Sequence, residues 1–250
     1  MDPATVGMLS LAAFCGGFTQ GLAGFGSTLI ALPLLALVFD LKLAVPVCTT
    51  LALVLNVVMV ARLCRHIRFG PLVLLIAASL PGMPLGAHAL EVLPGAWLKT
   101  GLALSIILFV GQQWRGARSL TPAGPGWGIA AGFAAGCLGG AIGINGPPVV
   151  AWVSRLGLDR QAMRGTLVAY FLLAGCGVVG SQALAGLVTG PVLARTAVAL
   201  PALTLGIAAG VGLCGRISEA AFRRVVLLVL CATGLSLLVQ GLSGLVCGRA

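Results

Sequence analysis

Charge is what this chain has least of. Of its 250 residues five are acidic and 15 are Lys or Arg, so 8% are charged, where soluble domains carry roughly a quarter. With 59% hydrophobic residues and a mean hydropathy of +1.12, the composition excludes a soluble domain and specifies an all-α polytopic membrane protein, with the lipid bilayer as its surroundings. The start, Met1-Asp2-Pro3-Ala4, has no Lys or Arg before the first apolar run. A cleavable signal peptide begins with a basic region, so the first segment is expected to stay. Cysteine pairs at metal-ligand spacing are missing too: Cys15, Cys48, Cys64, Cys137, Cys176, Cys214, Cys231 and Cys247 are scattered, with no Cys-x-x-Cys and no nearby His. Neither a metal nor any other cofactor is expected, and the thiols read as small core residues. An intramembrane hydrolase built on Ser27 and His88 would lack both a Gly-x-Ser-x-Gly turn and a third orienting group. No enzyme and no catalytic residue is therefore expected.

What is there is a series of eight apolar stretches, at roughly 4–38, 43–64, 70–90, 96–114, 126–153, 162–187, 191–213 and 221–246, against the ~20 residues a crossing needs. The 37 glycines permit close backbone approach where helices cross. Trp97 and Trp114 bracket the fourth stretch and Trp127 and Trp152 the fifth, where interfacial aromatic belts fall. The net charge of +10 sits in short clusters between these stretches, not along one amphipathic face. Nucleic acid is not expected as a partner.

A glycine block, Gly17-Phe18-Thr19-Gln20-Gly21-Leu22-Ala23-Gly24-Phe25-Gly26-Ser27, returns in altered form as Gly132-Phe133-Ala134-Ala135-Gly136-Cys137-Leu138-Gly139-Gly140. After the blocks Pro33 matches Pro148 and Thr49 falls opposite Thr166, while Gly70-Pro71, Pro81 and Gly86 recur at an offset of 120 as Gly190-Pro191, Pro201 and Gly206. Two four-segment repeats, residues 1–120 and 121–250, are expected, each beginning with a Gly-broken helix, re-entrant or discontinuous. If all eight stretches cross the bilayer, the 15 basic residues divide almost evenly between its faces. If the first stretch of each half returns to its own side, Arg62, Arg65, Arg68, Arg115, Arg118, Arg155, Arg160, Arg164, Arg216, Arg223 and Arg224 share one face, leaving Lys42, Lys99, Arg195 and Arg249 on the other. Only the second arrangement, an inverted repeat, satisfies the positive-inside rule.

The candidate chemistry lies at the two breaks. In the second, Gly143, Asn145 and Gly146 precede Pro147-Pro148, so a half-helix should start near Pro147 with Asn145 as its cap. In the first, Gly24 and Gly26 precede Ser27 and Thr28, with Ser27 as the analogous cap. Free N–H groups at such starts, together with the positive end of the helix dipole, form an anion site that buries no fixed cation. The hydroxyls of Thr49, Thr50 and Thr166 could add donors. Gln20 and Asn56 join the candidates because an amide inside an apolar segment is costly without partners. His88 and Glu91 read as an interfacial pair, and Arg164 as an interfacial anchor that could also draw anions toward the site.

At these residues the chain resembles the TauE/SafE family of sulfite exporters, or TSUP permeases. The resemblance rests on Gly21-x-x-Gly24-Phe25-Gly26-Ser27 leading to Ala31-Leu32-Pro33, on Thr49-Thr50, on Gly139-Gly140-x-x-Gly143-Ile144-Asn145-Gly146-Pro147-Pro148, and on Arg164-Gly165-Thr166. Ser27 and Cys48 stand where glycine is common in the pattern. The resemblance implies a permease for sulfite, a sulfonate or a related small anion in the cell inner membrane. An anion channel, a non-catalytic membrane subunit and the hydrolase are the alternatives, and a homo-oligomer is an allowed state.

Overall fold

The computed structural model describes residues 2–114, 124–214 and 218–246. Among them are eleven α-helices and no strand: α1 (Pro3–Ala23), α2 (Ser27–Ala36), α3 (Leu41–Leu63), α4 (Phe69–Ser79), α5 (Gly82–Val92), α6 (Gly95–Trp114), α7 (Pro125–Ile142), α8 (Gly146–Val153), α9 (Arg160–Leu184), α10 (Gly190–Gly212) and α11 (Glu219–Val246). Seven of these are long and apolar enough to cross a bilayer, and α4 with α5, bent by 42°, has the length and composition of a broken span or a re-entrant loop. The chain is a multi-pass membrane protein.

Three of the few acids start helices. Asp2 accepts from Thr5 N–H at 2.9 Å, Asp40 from Lys42 N–H at 2.7 Å, and Asp159 from Gln161 and Ala162 N–H at 2.9 Å each. Each carboxylate satisfies first-turn donors that have no partner within the helix, next to the positive end of the dipole. Proline acts differently in the two halves. Pro81, followed by Gly82, separates α4 from α5, whereas Pro201, followed by Ala202, lies inside the continuous α10. Both prolines lack the N–H that the helix needs, but only the first is joined by a glycine, which adds about 1 kcal/mol of helix cost over alanine.

The helices pair across the two halves of the chain: α1 on α10, α5 on α7, α6 on α11 and α3 on α9. Two of these crossings are backbone against backbone. A Cβ on Gly21 would lie 2.8 Å from the Ile207 carbonyl, and one on Gly82 2.6 Å from that of Phe133. Gly206 and Gly86 approach closer still, to the backbone around Phe14 and around Cys137. Any side chain there would push the helices apart.

Contacts also sort the loops into two ends. At one, Arg68 N–H donates to Thr166 Oγ1 at 3.0 Å, Asp159 feels the charges of Arg68 and His66, and the Arg155 guanidinium lies 5.5 Å from the centre of the Trp127 ring. At the other, Lys42 Nζ donates to the Glu91 carbonyl at 2.7 Å and Lys99 Nζ to Gln240 Oε1 at 3.1 Å, while Arg195 stacks over Phe39. The loops before α4 and before α9 thus share an end. Arg115, Arg118, Arg216, Arg249 and Cys247, and the boundary at 120/121, lie outside the described residues.

Candidate functional site

Gly24 ends α1 in the left-handed conformation, φ +87°, its N–H donating to the Gln20 carbonyl at 2.7 Å. Gly143 ends α7 in the same way, φ +66°, its N–H donating to the Gly139 carbonyl at 3.0 Å. The chain then turns back on itself. A Cβ on Gly16 would lie 3.0 Å from the Ser27 carbonyl and 3.1 Å from Ala31 Cβ, so α2 lies against α1. Likewise Trp152 Nε1, near the end of α8, donates to the Gly124 carbonyl at the start of α7. The cap of α2 is Gly26 at φ +98°, and Ser27 is the first helical residue. Ser27 is therefore not the cap, because that positive φ strains any residue with a Cβ. Asn145 is the cap residue of α8, which starts at Gly146, but its side chain makes no capping bond.

The two turns meet. A Cβ on Gly143 would lie 3.4 Å from both Thr28 Cγ2 and Thr49 Cγ2. Between them is a cavity of about 50 Å³, lined by Gln20, Gly26, Ser27, Thr28, Thr49, Asn56, Gly143, Asn145 and Gly146 among the expected residues, together with Phe25, Phe171 and Gly175. Among the described residues no charged one lines it. Each turn carries the negative end of one helix and the positive end of the next, so the sign of the site depends on which faces inward. First-turn residues Ser27, Thr28 and Gly146 line the cavity, while the nearby carbonyls of Gln20 and Gly139 already accept from Gly24 and Gly143. Donors dominate.

Two buried polar pairs fix the walls. Gln20 Nε2 donates to Asn56 Oδ1 at 2.6 Å, which leaves the Asn56 amide hydrogens as further donors. Thr49 Oγ1 donates to Gln182 Oε1 at 2.8 Å and lies 3.1 Å from the Pro46 carbonyl, and Gln182 Nε2 donates to the Gly140 carbonyl at 3.2 Å. Gln182 is fully buried and was not among the sequence candidates; the signal was an amide inside the stretch 162–187.

Five candidates lie elsewhere. Gly24 faces away from the cavity, and a Cβ there would be 2.7 Å from Arg164 Nε. Thr50 Oγ1 donates back to the Pro46 carbonyl at 2.7 Å, the common fate of a helical threonine. Thr166 is occupied in accepting from Arg68 N–H. His88 pairs with Glu91 at 3.5 Å, with 70% and 49% of the side chains exposed, so it does not line the cavity that holds Ser27 and the hydrolase pair is not assembled. Arg164 lines a separate cavity.

The halves also show a common spacing. Gly24 and Gly143 are 119 residues apart (143 − 24), as are the helix caps Asp40 and Asp159 (159 − 40). At that spacing Gln20 falls with Gly139, Phe25 with Ile144, Gly26 with Asn145, Ser27 with Gly146, Ala52 with Phe171 and Asn56 with Gly175, and all twelve residues line the one cavity. Thr49 falls with Val168 rather than Thr166, and Pro33 with Trp152 rather than Pro148. Glycine and proline recur so often in such helices that neighbouring offsets match by chance, whereas a left-handed turn marks a position unambiguously.

A bundle of membrane-crossing helices around a cavity at two helix starts is the form expected of a membrane transporter. The family model described as Sulfite exporter TauE/SafE matches residues 9–237, and the chain belongs to that family. The family implies membrane transport of sulfite-type anions. No curated protein and no solved structure matches the chain.

Proposed function

We propose that this protein is a permease of the cell inner membrane that carries sulfite or a similarly compact sulfur oxyanion by alternating access around the cavity between α2 and α8. The observation that carries the reading is the cavity itself: two first helical turns, with Asn56 and Asn145, converge on a space without a fixed charge. Such a site binds an anion through dipoles and N–H groups, avoiding the cost of at least ~2.5 kcal/mol for a charged side chain in mid-bilayer. Its size of about 50 Å³ is room for a few water-sized atoms. That suits sulfite better than a bulky organosulfonate.

In this reading residues 1–120 and 121–250 are inverted repeats, with α1–α2 and α7–α8 as re-entrant hairpins entering from opposite faces. The shared spacing of 119 and the pairing of α1 with α10 and α5 with α7 support it. The end bearing Arg65, Arg68, Arg155, Arg160 and Arg164 is then cytoplasmic by the positive-inside rule. A channel would need a continuous polar path, and the walls of this cavity include Phe25, Leu29, Leu53 and Phe171.

The experiment is thermal denaturation of the purified protein with sulfite, sulfate, chloride, acetate and a bulky arylsulfonate. A ligand of the folded state raises the melting temperature. Sulfite is expected to do so and Asn145→Leu to abolish the shift; a wild-type melting temperature indifferent to sulfite would overturn the proposal.

A further inference from the structure

A second cavity, of about 360 Å³, lies on the arginine-bearing side of the first turn. Its walls include Thr19, Gln113, Met163, Arg160 and Arg164 and, among the described residues, no carboxylate, and it shares Phe25, Gly26 and Leu29 with the central cavity. Arg164 projects from the second turn of α9 onto Gly24, where the absent side chain leaves room for the guanidinium. Its Nε is buried with no hydrogen-bond partner, and no described carboxylate forms an ion pair with it. A buried donor left unpaired costs about 1–3 kcal/mol, more when charged. The Nε atoms of Arg155 and Arg195 are likewise buried without a partner, but of the three only Arg164 lines this cavity.

The comparison within the chain sharpens this. At the spacing of 119, the contact of Gly24 with Arg164 corresponds to that of Gly143 with Val45 (164 − 45). The two turns are thus packed alike, but a cation guards one and an isopropyl group the other.

We propose that the larger cavity is a vestibule in which an arriving anion loses water to Arg164 before it passes Phe25 and Gly26 into the central cavity. The inference rests on the central cavity being the anion site. Arg164 is then a binding residue of the route and not of the resting site: it attracts the anion from the arginine-bearing face, and at the matching position on the other turn stands the uncharged Val45. A basic funnel of this kind raises capture rates by about tenfold or more, in a manner that salt weakens.

The test uses the full chain, purified for sulfite calorimetry and reconstituted in liposomes for sulfite flux. For Arg164→Gln the expected result is a sulfite Kd within about twofold of wild type, with the initial flux at low sulfite reduced about tenfold and its salt dependence flattened. Arg164→Lys should restore part of the flux. Should Arg164→Gln fold poorly, Met163→Glu places a carboxylate on the vestibule wall and is expected to slow flux while sparing Kd. Unchanged flux and salt dependence in a folded variant would overturn the vestibule. So would a Kd that weakens in step with flux, because Arg164 would then belong to the central site. A wild-type protein that neither binds nor carries sulfite overturns both readings together.

Discussion

Gln20 and Asn56, 36 positions apart, share a 2.6 Å hydrogen bond inside the bundle, one amide from the last turn of α1 and one from the middle of α3. The bond orients Asn56 so that its N–H groups are left to donate. Replacing Asn56 with Leu removes those donors and strands the Gln20 amide. Hydrogen bonds to a charged partner contribute about 1.5–3 kcal/mol, so the sulfite Kd, read by calorimetry, should rise about tenfold to a hundredfold.

Thr49 and Gln182 should behave as one unit. Thr49→Val and Gln182→Leu each break the same 2.8 Å bond, so their effects on thermal stability should not add. A double-mutant cycle is expected to give an interaction of about 0.5–3 kcal/mol. Additive effects would mean that the pair does not hold in the folded protein.

Gly143 has a left-handed backbone, and a methyl there would only touch Thr28, Thr49 and Val45 at ordinary contact distance. Gly143→Ala is expected to cost about 1–2 kcal/mol from backbone strain, read as a lowered melting temperature. Gly101→Ala, with nothing within 4 Å of the new methyl, is the control that should melt at the wild-type temperature or above.

Asp159 gives an acid-sensitive helix start. The Ala162 N–H, and then that of Gln161, hold its carboxyl below the usual 3.8. The folded state therefore favours the ionised form: the stabilisation is fully present above pH 3.8 and fades as pH falls through the lowered value. Melting temperature measured against pH should show a steeper acid limb in wild type than in Asp159→Asn, which keeps an acceptor that does not titrate.

The sequence made the turns legible because they are written in glycine, and Gln20, Asn56 and Asn145 because a lone amide in apolar sequence needs a reason. It hid the register. Thr49 and Thr166 look equivalent along the chain, yet one lines the cavity and the other receives Arg68 N–H. Ser27 looked like a cap, and only backbone angles reveal Gly26 in that role. Pro81 and Pro201 looked alike, and the following residue separates a bend from a continuous helix. Gln182 was missed because its partner, Thr49, is 133 residues away, and single-sequence reading does not see such pairs.

The glycine crossings have one more consequence. Gly82 and Gly86 sit against Phe133 and Cys137, and Gly206 and Gly210 against Phe14 and Phe18, positions 119 apart in each case (133 − 14, 137 − 18). The same two positions, one helical turn apart, are therefore covered in both seams. A Cβ at any of these four glycines would meet a backbone carbonyl, so each seam closes only because its nearest residues carry no side chain.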